Sequence, residues 1–280
     1  MIIDKNIVLE RTNKKPILLD LFYNQENTNQ PIVIFCHGYK GFKDWGAWDL
    51  MAKAISDKGF CFLKFNFSHN GGTMENPIDF PDLEAFGHNN YTKELDDLTD
   101  VIDWIQKHFK NDCKVNINAI SLIGHSRGGG ITILKASEDL RISKLISLAS
   151  VSDYASRFGS ESDIKQWQKD GVKYVINGRT KQEMPHFFQF FEDFKTNEER
   201  LNIEKATKSI DIPHLVIHGS DDTSVKMEES EALHRWNPKS QLKIIEGANH
   251  VFNTSHPWQK DELSTELQEV VAEIITFLNS

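Results

Sequence analysis

The chain has 280 residues, 39% of them hydrophobic and 26% charged, which is typical of a globular protein and excludes a disordered or fibrous one. At this length a folded chain buries about three quarters of its extended surface, so it can form a large core without disulfides. The formal charge of −9 comes with no long basic stretch. A nucleic-acid or anionic-membrane partner is therefore not expected, because the charge that neutralises phosphates is missing.

The three cysteines, Cys36, Cys61 and Cys113, are too few and too scattered for a disulfide scaffold, and none lies in a CxxC pair. Cys36 and Cys61 each lie in an apolar run, which predicts small buried hydrophobic side chains. No apolar stretch behind a basic start indicates a secretory signal, and no run of about 18 apolar residues indicates a membrane span. We therefore expect a cytoplasmic location.

Short apolar segments alternate with longer amphipathic ones along the chain. The apolar segments predict strands over 7–9, 17–22, 31–36, 60–67, 120–124, 145–149, 214–217 and 242–246. Helical spacing predicts helices over 48–58, 92–109, 129–138, 227–235 and 260–278. Most strands are continuously apolar, as central parallel strands are, and the first two are expected to form an antiparallel edge. The alternation predicts an α/β fold with a doubly wound, mostly parallel sheet.

Residues 153–211 interrupt this alternation, because no part of them is predicted as a strand. The segment carries Trp167 and a cluster of phenylalanines that includes Phe188. The aromatic residues fall on more than one face of a helix, so the segment must pack against other parts of the chain. We predict that it is a helical cap inserted into a core formed by 1–152 and 212–280. Trp167 and Phe188 are candidates for the wall of a substrate pocket.

The predicted helix 92–109 carries an acidic run, Glu94, Asp96, Asp97 and Asp100. Its inward positions are apolar, so this run is interpreted as a solvated face and not as a metal site. Neither an H-E-x-x-H motif nor another ligand spacing occurs, and we expect no metal and no cofactor.

Residues 124–128 read GHSRG, a G-x-S-x-G motif between an apolar strand and a helical segment. Glycines flank the serine because the turn is so tight that side chains there would collide. The turn exposes the serine at the carboxyl edge of the sheet, which makes Ser126 a candidate nucleophile. A phosphate-binding loop is not favoured, because the GK[ST] ending is absent.

With this motif the chain resembles a serine hydrolase of the α/β-hydrolase superfamily over nearly its whole length, and in that superfamily an acid and then a histidine follow the serine. Residues 218–225, HGSDDTSV, resemble the acid loop of the superfamily and imply Asp222 as the acid, with Asp221 as the less favoured alternative. The sequence GANH at 247–250 resembles its terminal histidine loop and implies His250 as the base. A serine hydroxyl is a weak nucleophile that needs such an imidazole, and the carboxylate orients the ring.

An attacked carbonyl becomes an oxyanion and needs hydrogen-bond donors aimed at it, which are often backbone N–H groups. The resemblance implies that these are the N–H groups of Arg127, next to the serine, and of Tyr39 in the loop HGYKG at 37–41. Trp45 follows this loop, and it is either a packing residue or a wall of the pocket.

The loop HGYKG, the segment FNFSHNGG at 65–72 and the size of the cap most resemble dienelactone-hydrolase-like and cinnamoyl-esterase-like serine hydrolases. This implies hydrolysis of carboxylic esters with small or medium acyl or aryl groups through an acyl-enzyme, with a small-molecule ester as the partner. Three alternatives stay open: amide or peptide hydrolysis, thioester hydrolysis, and a catalytically idle fold that binds a ligand. The serine argues against dehalogenase and epoxide-hydrolase types, which use aspartate.

Overall fold

A computed structural model describes residues 1–280. Its strands are Ile2–Leu9 (β1), Ile17–Tyr23 (β2), Gln30–Cys36 (β3), Cys61–Phe65 (β4), Val115–His125 (β5), Ile142–Leu148 (β6), Val172–Ile176 (β7), Glu183–Phe187 (β8), His214–Gly219 (β9) and Gln241–Ile245 (β10). Its α-helices are Trp48–Ser56 (α1), Leu83–Gly87 (α2), Tyr91–His108 (α3), Arg127–Glu138 (α4), Glu161–Asp170 (α5), Gln189–Thr196 (α6), Ile203–Ser209 (α7), Met227–Trp236 (α8) and Thr265–Leu278 (α9).

Eight strands form one sheet in the order β1-β2-β4-β3-β5-β6-β9-β10. Six strands of this sheet, β3, β4, β5, β6, β9 and β10, are parallel to one another. Strands β1 and β2 extend the sheet beyond β4 as an antiparallel edge. The predicted doubly wound, mostly parallel sheet is confirmed. Because the parallel strands all end at one edge, the loops that follow them are brought together there.

Helices cover both faces of the sheet. Helices α1 and α9 bury apolar residues such as Ile55 and Ile274 in the core on one face. Helices α3 and α4 bury residues such as Leu98 and Ile133 in the larger core on the other face. Continuous burial on both sides explains why the central strands are apolar along their length. None of the helices is both long enough and apolar enough to cross a membrane.

The prediction of a solvated acidic face on α3 was wrong for two of its four residues. Glu94 and Asp97 are only 3% and 2% exposed. Asp97 binds the Arg11 guanidinium at 2.6 Å and the Ser68 backbone N–H at 2.7 Å, and Glu94 lies 3.4 Å from the Arg127 guanidinium. Partners far away along the chain stabilise these buried charges, so the helix sequence alone does not reveal them.

The segment 153–211 contains a β-hairpin that the sequence analysis did not predict. Strands β7 and β8 pair antiparallel. A 3-10 helix and α5 precede this hairpin in the chain, and α6 and α7 follow it. Pro185 lies inside β8, and a proline cannot donate to a strand ladder, so the sequence pattern argued against a strand there. Helix α7, at the end of the segment, packs against α4 and α8, two of the helices that cover the main sheet.

A buried ion network lies between β2, β4 and the start of α1. The Asp20 carboxylate contacts the ammonium groups of Lys43 and Lys64, each at 2.8 Å, and all three side chains are fully buried. Asp44 and Asp49 complete the network at its partly exposed side. The three carboxylates lie within 4.8 Å of one another, a spacing that could hold a metal ion, but the two lysines already supply their positive charge.

Replacing Asp20 with asparagine is expected to lower the free energy of unfolding by about 3–5 kcal/mol, because two buried ammonium groups lose a shared carboxylate. Urea denaturation of the variant and the wild type measures this. Asp211→Asn is the matched control, since Asp211 forms a fully solvated pair with Lys239 and its loss should leave the urea midpoint unchanged. Equal midpoints for Asp20→Asn and the wild type would contradict the prediction.

Candidate active site

Ser126 occupies the tight turn between β5 and α4. Its backbone has φ +56° and ψ −120°, a conformation that non-glycine residues rarely adopt. The turn brings backbone segments so close together that a Cβ on Gly124 would lie 2.4 Å from the Gly128 carbonyl oxygen. A Cβ on Gly128 would lie 2.5 Å from the carbonyl oxygens of Cys36 and His37. The two glycines of the motif are therefore required by backbone contacts on both sides of the serine.

Asp222 and His250 come from the loops that follow β9 and β10, the neighbouring strands at the end of the sheet. The His250 ring donates from Nδ1 to Asp222 Oδ2 at 2.7 Å. Asp222 Oδ1 accepts from the backbone N–H groups of Ser224 and Val225 at 2.8 and 3.0 Å. Because Nδ1 carries the proton in this contact, the neutral ring keeps an unprotonated Nε2.

The environment of Asp222 favours its charged form. Burial alone would raise the pKa of this carboxyl, but hydrogen bonds from His218 and His250 lower it well below its ordinary value. The carboxylate is thus ionised throughout the neutral range. Asp221, the alternative acid, is exposed, and its carboxylate accepts a hydrogen bond only from the hydroxyl of Ser220, its neighbour in the chain.

Two further histidines, which were not among the predicted site residues, support this pair. His218 lies fully buried with its Nε2 2.8 Å from the Val225 carbonyl oxygen and 3.3 Å from Asp222 Oδ2. His125 donates from Nε2 to the backbone carbonyl of His250 at 2.8 Å. The His218 ring therefore positions the Asp222 carboxylate, and the His125 ring positions the loop of His250. The available sequence signals for them were that His218 precedes a glycine and that His125 is the middle residue of Gly-x-Ser.

The resemblance implied an oxyanion site formed by the backbone N–H groups of Tyr39 and Arg127. Neither N–H has an acceptor within the protein: Arg127 is the first residue of α4, and Tyr39 lies in the loop after β3. His37 fixes this loop, because its Nδ1 donates to the Gly38 carbonyl at 2.9 Å and its Nε2 accepts from the Phe67 N–H at 3.2 Å.

Two cavities meet at Ser126 and His250. The larger, of about 460 Å³, has an aromatic wall, and the smaller, of about 240 Å³, lies on the side of the HGYKG loop. The aromatic residues of the larger cavity are Tyr39, Tyr91, Tyr154, Phe158 and Phe190. Two cavities that share a reactive centre can hold the two halves of a substrate.

The candidates for the pocket wall divide between lining and packing residues. Trp45 lines the smaller cavity. Trp167 and Phe188 line neither, which corrects that part of the prediction. The Trp167 ring is 2% exposed, packs edge-on against Phe188, and donates its indole N–H to the His186 carbonyl at 2.7 Å. Both rings therefore belong to the aromatic core of the segment 153–211, and sequence spacing could not distinguish that core from a pocket wall.

The segment 153–211 contacts the HGYKG loop directly. The Tyr39 hydroxyl and His186 Nε2, on β8, are hydrogen-bonded at 2.7 Å. The Arg127 guanidinium lies against the Tyr39 ring, 4.3 Å from its centroid, and against Tyr91 and Phe190. The aromatic wall of the larger cavity is thus shared between this segment and the sheet edge.

Four buried histidines are expected to make the protein less stable in acid. Burial lowers the pKa of His37 to about 4 and those of His125, His186 and His214 to about 3. In the unfolded chain these rings bind protons near pH 6.5, so between about pH 6 and 4 the unfolded state binds more protons. Stability is therefore expected to fall with decreasing pH, by up to about 1.4 kcal/mol per pH unit for each ring.

His214 tests this effect away from the cavities, where its Nε2 contacts the Ser147 hydroxyl at 2.9 Å. Urea denaturation of His214→Gln between pH 6 and 4.5 should give a pH slope smaller than that of the wild type by about 1.4 kcal/mol per unit. His108→Gln, at an exposed ring on α3, is the control and should keep the wild-type slope. The other titrating groups contribute equally to both proteins and cancel in the comparison. An unchanged slope in His214→Gln would therefore refute the contribution of His214 to the pH dependence.

Comparison with known proteins gives the family. The model of the BD-FAE family matches residues 19–237. The chain belongs to the BD-FAE family. This BD-FAE protein is a member of the α/β-hydrolase superfamily, as the sequence motifs implied.

The three relatives described next are distant, and each covers most of the chain. The BD-FAE protein is similar to the non-heme chloroperoxidase CPO-A1 of Kitasatospora aureofaciens, at 22% identity over 90% of this chain and 95% of that protein. The solved structure of Est1E from Butyrivibrio proteoclasticus has a TM-score of 0.69 at 16% identity, covering 99% of this chain and 98% of that one, and Est1E has also been solved with ferulic acid bound. Dienelactone hydrolase from Anabaena variabilis has a TM-score of 0.63 at 15% identity, covering 98% and 95%. These structures share the fold of the BD-FAE protein.

Proposed function

We propose that this BD-FAE protein is a serine hydrolase that cleaves carboxylic esters of small or medium acyl or aryl groups. The observation that carries the proposal is the 2.7 Å hydrogen bond from His250 to Asp222, at a cavity that Ser126 also lines. This contact leaves His250 Nε2 unprotonated, and His250 lines the same two cavities as Ser126, the only serine of the chain in a G-x-S-x-G turn.

The proposed reaction has two steps. Ser126 Oγ attacks the ester carbonyl carbon while its proton moves to His250 Nε2, and the carbonyl oxygen becomes an oxyanion that the Tyr39 and Arg127 N–H groups can receive. His250 then gives the proton to the departing alcohol oxygen, which leaves an acyl group on Ser126. In the second step His250 takes a proton from water while the water oxygen attacks the acyl carbon, and it returns that proton to Ser126 Oγ when the bond between Oγ and the acyl carbon breaks and the acid leaves. Asp222 remains ionised and stabilises the imidazolium that forms in each step.

The volumes and the aromatic lining of the two cavities suit an ester of the proposed size. About 460 Å³ with five aromatic side chains suits a ring-bearing acyl or alcohol group, and about 240 Å³ suits a smaller second group. Est1E, which shares this fold, has been solved with ferulic acid, an aromatic acid, bound. Amides and thioesters could use the same nucleophile, so a matched series of ester, thioester and amide with one acyl group ranks the three reactions.

A fluorophosphonate probe separates the hydrolase from an idle fold. The wild type is expected to be labelled covalently and stoichiometrically, because an activated serine displaces fluoride from the probe and forms a phosphonate ester. Ser126→Ala should show no labelling in mass spectrometry of the intact protein. Ser224→Ala is the matched control, since Ser224 lines the same cavity and its side chain has no role in the proposed reaction. Failure to label folded wild-type protein would overturn the proposal.

A further inference from the structure

The larger cavity carries an excess of positive charge in an acidic protein. Four cationic residues line it, namely Lys40, Arg127, Arg157 and Lys173, and none of its lining residues is an aspartate or a glutamate. The chain as a whole has a formal charge of −9, with more acidic than basic residues. The cavity therefore reverses the charge balance of the rest of the molecule.

Only two of the four cations have a carboxylate partner. The Arg157 guanidinium is paired with Glu229, and the Arg127 guanidinium lies 3.4 Å from Glu94 Oε1. Lys40 and Lys173 form no ion pair with any residue of the chain. Their ammonium groups lie instead over aromatic rings: that of Lys40 is 5.0 Å from the Tyr39 centroid, and that of Lys173 is 3.8 Å from the Trp167 centroid. Two positive charges at the cavity thus have no ion-pair partner.

Both lysines are partly withdrawn from water, which makes their positive charge energetically costly. Burial, followed by repulsion from Arg127, lowers the pKa of Lys40, and burial lowers that of Lys173 despite the attraction of Asp163. An anion that entered the cavity would relieve this cost, because ionic attraction is stronger where water is partly excluded. The Arg127 guanidinium lies 4.3 Å from the Tyr39 ring centroid and 5.3 Å from that of Tyr91, and these contacts hold a third positive charge in place at the cavity.

We propose that the ester cleaved at this site carries a carboxylate on the half that occupies the larger cavity, where Lys40 and Lys173 bind it. The inference rests on the proposed esterase function and adds the substrate class to it. The aromatic wall contacts the body of that half of the ester, and the lysines select its charge.

Two pairs of esters test the proposal, and each pair differs only in a carboxylate against a neutral carboxamide of the same shape. The first pair carries the difference on the acyl half: 4-nitrophenyl 4-carboxybenzoate and 4-nitrophenyl 4-carbamoylbenzoate. The second carries it on the alcohol half: 4-carboxyphenyl acetate and 4-carbamoylphenyl acetate. We expect kcat/KM of the wild type, divided by the rate of hydroxide hydrolysis, to favour the carboxylate about 10–100-fold in one pair.

The variants Lys173→Met and Lys40→Met should each lower kcat/KM for the preferred carboxylate about 10-fold and for its carboxamide partner less than about 3-fold. Methionine keeps an unbranched, apolar side chain out to Cε and removes the charged amino group. Lys165→Met, on an exposed face of α5, is the control and should leave both values unchanged. Binding of the same esters to Ser126→Ala, measured by calorimetry, should show the same preference and the same loss in Lys173→Met/Ser126→Ala.

The outcomes separate this inference from the proposed function. Hydrolysis that depends on Ser126 but favours the carboxylate in neither pair overturns the substrate class and leaves the esterase standing. A similar loss for carboxylate and carboxamide in both lysine variants also overturns it. Carboxylate-selective binding without any turnover supports the charge recognition and refutes the esterase.

Discussion

Ser126→Ala and His250→Ala are each expected to lower kcat for ester hydrolysis by about 10⁴–10⁶-fold. The alanine at 126 removes the attacking oxygen, and the alanine at 250 removes the base that accepts its proton. The measurement is steady-state hydrolysis of a 4-nitrophenyl ester, with the melting temperature of each variant to show that it is folded. The double variant should be about as slow as either single one, because both residues act in one step and their effects do not add.

Neighbouring residues of the same types provide the matched controls. Ser224→Ala and His186→Gln change a hydroxyl and an imidazole at the same cavity, and each should change kcat by less than about 10-fold, since neither residue has a part in the proton transfer. Near-normal turnover in Ser126→Ala or His250→Ala would remove that residue from the mechanism. If kcat fell as far in the control variants, the loss in Ser126→Ala and His250→Ala would reflect a general sensitivity of the cavity to substitution and not a specific role of these residues.

Sequence periodicity was sufficient to predict the sheet and its helices. Strands such as β3 and β9 are buried on both faces, so they are apolar along their length and easily recognised. The hairpin in 153–211 escaped prediction because its strands are short, one contains Pro185, and the other exposes Tyr174 and Ile176 to solvent. Exposure on this strand removes the alternation that a half-buried strand would show.

The candidate site was predictable only where a local motif carries it. Ser126 and Asp222 lie in short motifs whose spacing follows from the turns they occupy, and His250 follows a strand in the same way. No local motif indicates the positive charge of the larger cavity. Lys40 and Lys173 are far apart in sequence, and both line this cavity because the hairpin carries Lys173 there. Glu94 is a similar case, since only the fold brings Arg127 to it.

Asp222→Asn is expected to lower kcat by about 10³–10⁴-fold with little change in the binding of substrate. Asp222 Oδ1 accepts two backbone N–H groups, and Oδ2 accepts from His250. An asparagine amide in this place has one oxygen, so it keeps the backbone contacts only by turning its NH₂ group toward His250 Nδ1. Two donors would then face each other, and His250 would adopt the tautomer with its proton on Nε2, where it cannot accept the proton of Ser126.

Asp221→Asn is the matched control for this prediction, because it makes the same chemical change one residue earlier at an exposed side chain. It should keep kcat within about 3-fold of the wild type, since Asp221 has no contact with the histidine. If Asp221→Asn lost activity and Asp222→Asn kept it, the acid would be assigned to the wrong member of the pair. A large loss in Asp222→Asn with slow fluorophosphonate labelling, in contrast to the absent labelling of Ser126→Ala, would place the aspartate in the role of orienting His250, because the nucleophile would still be present but no longer activated.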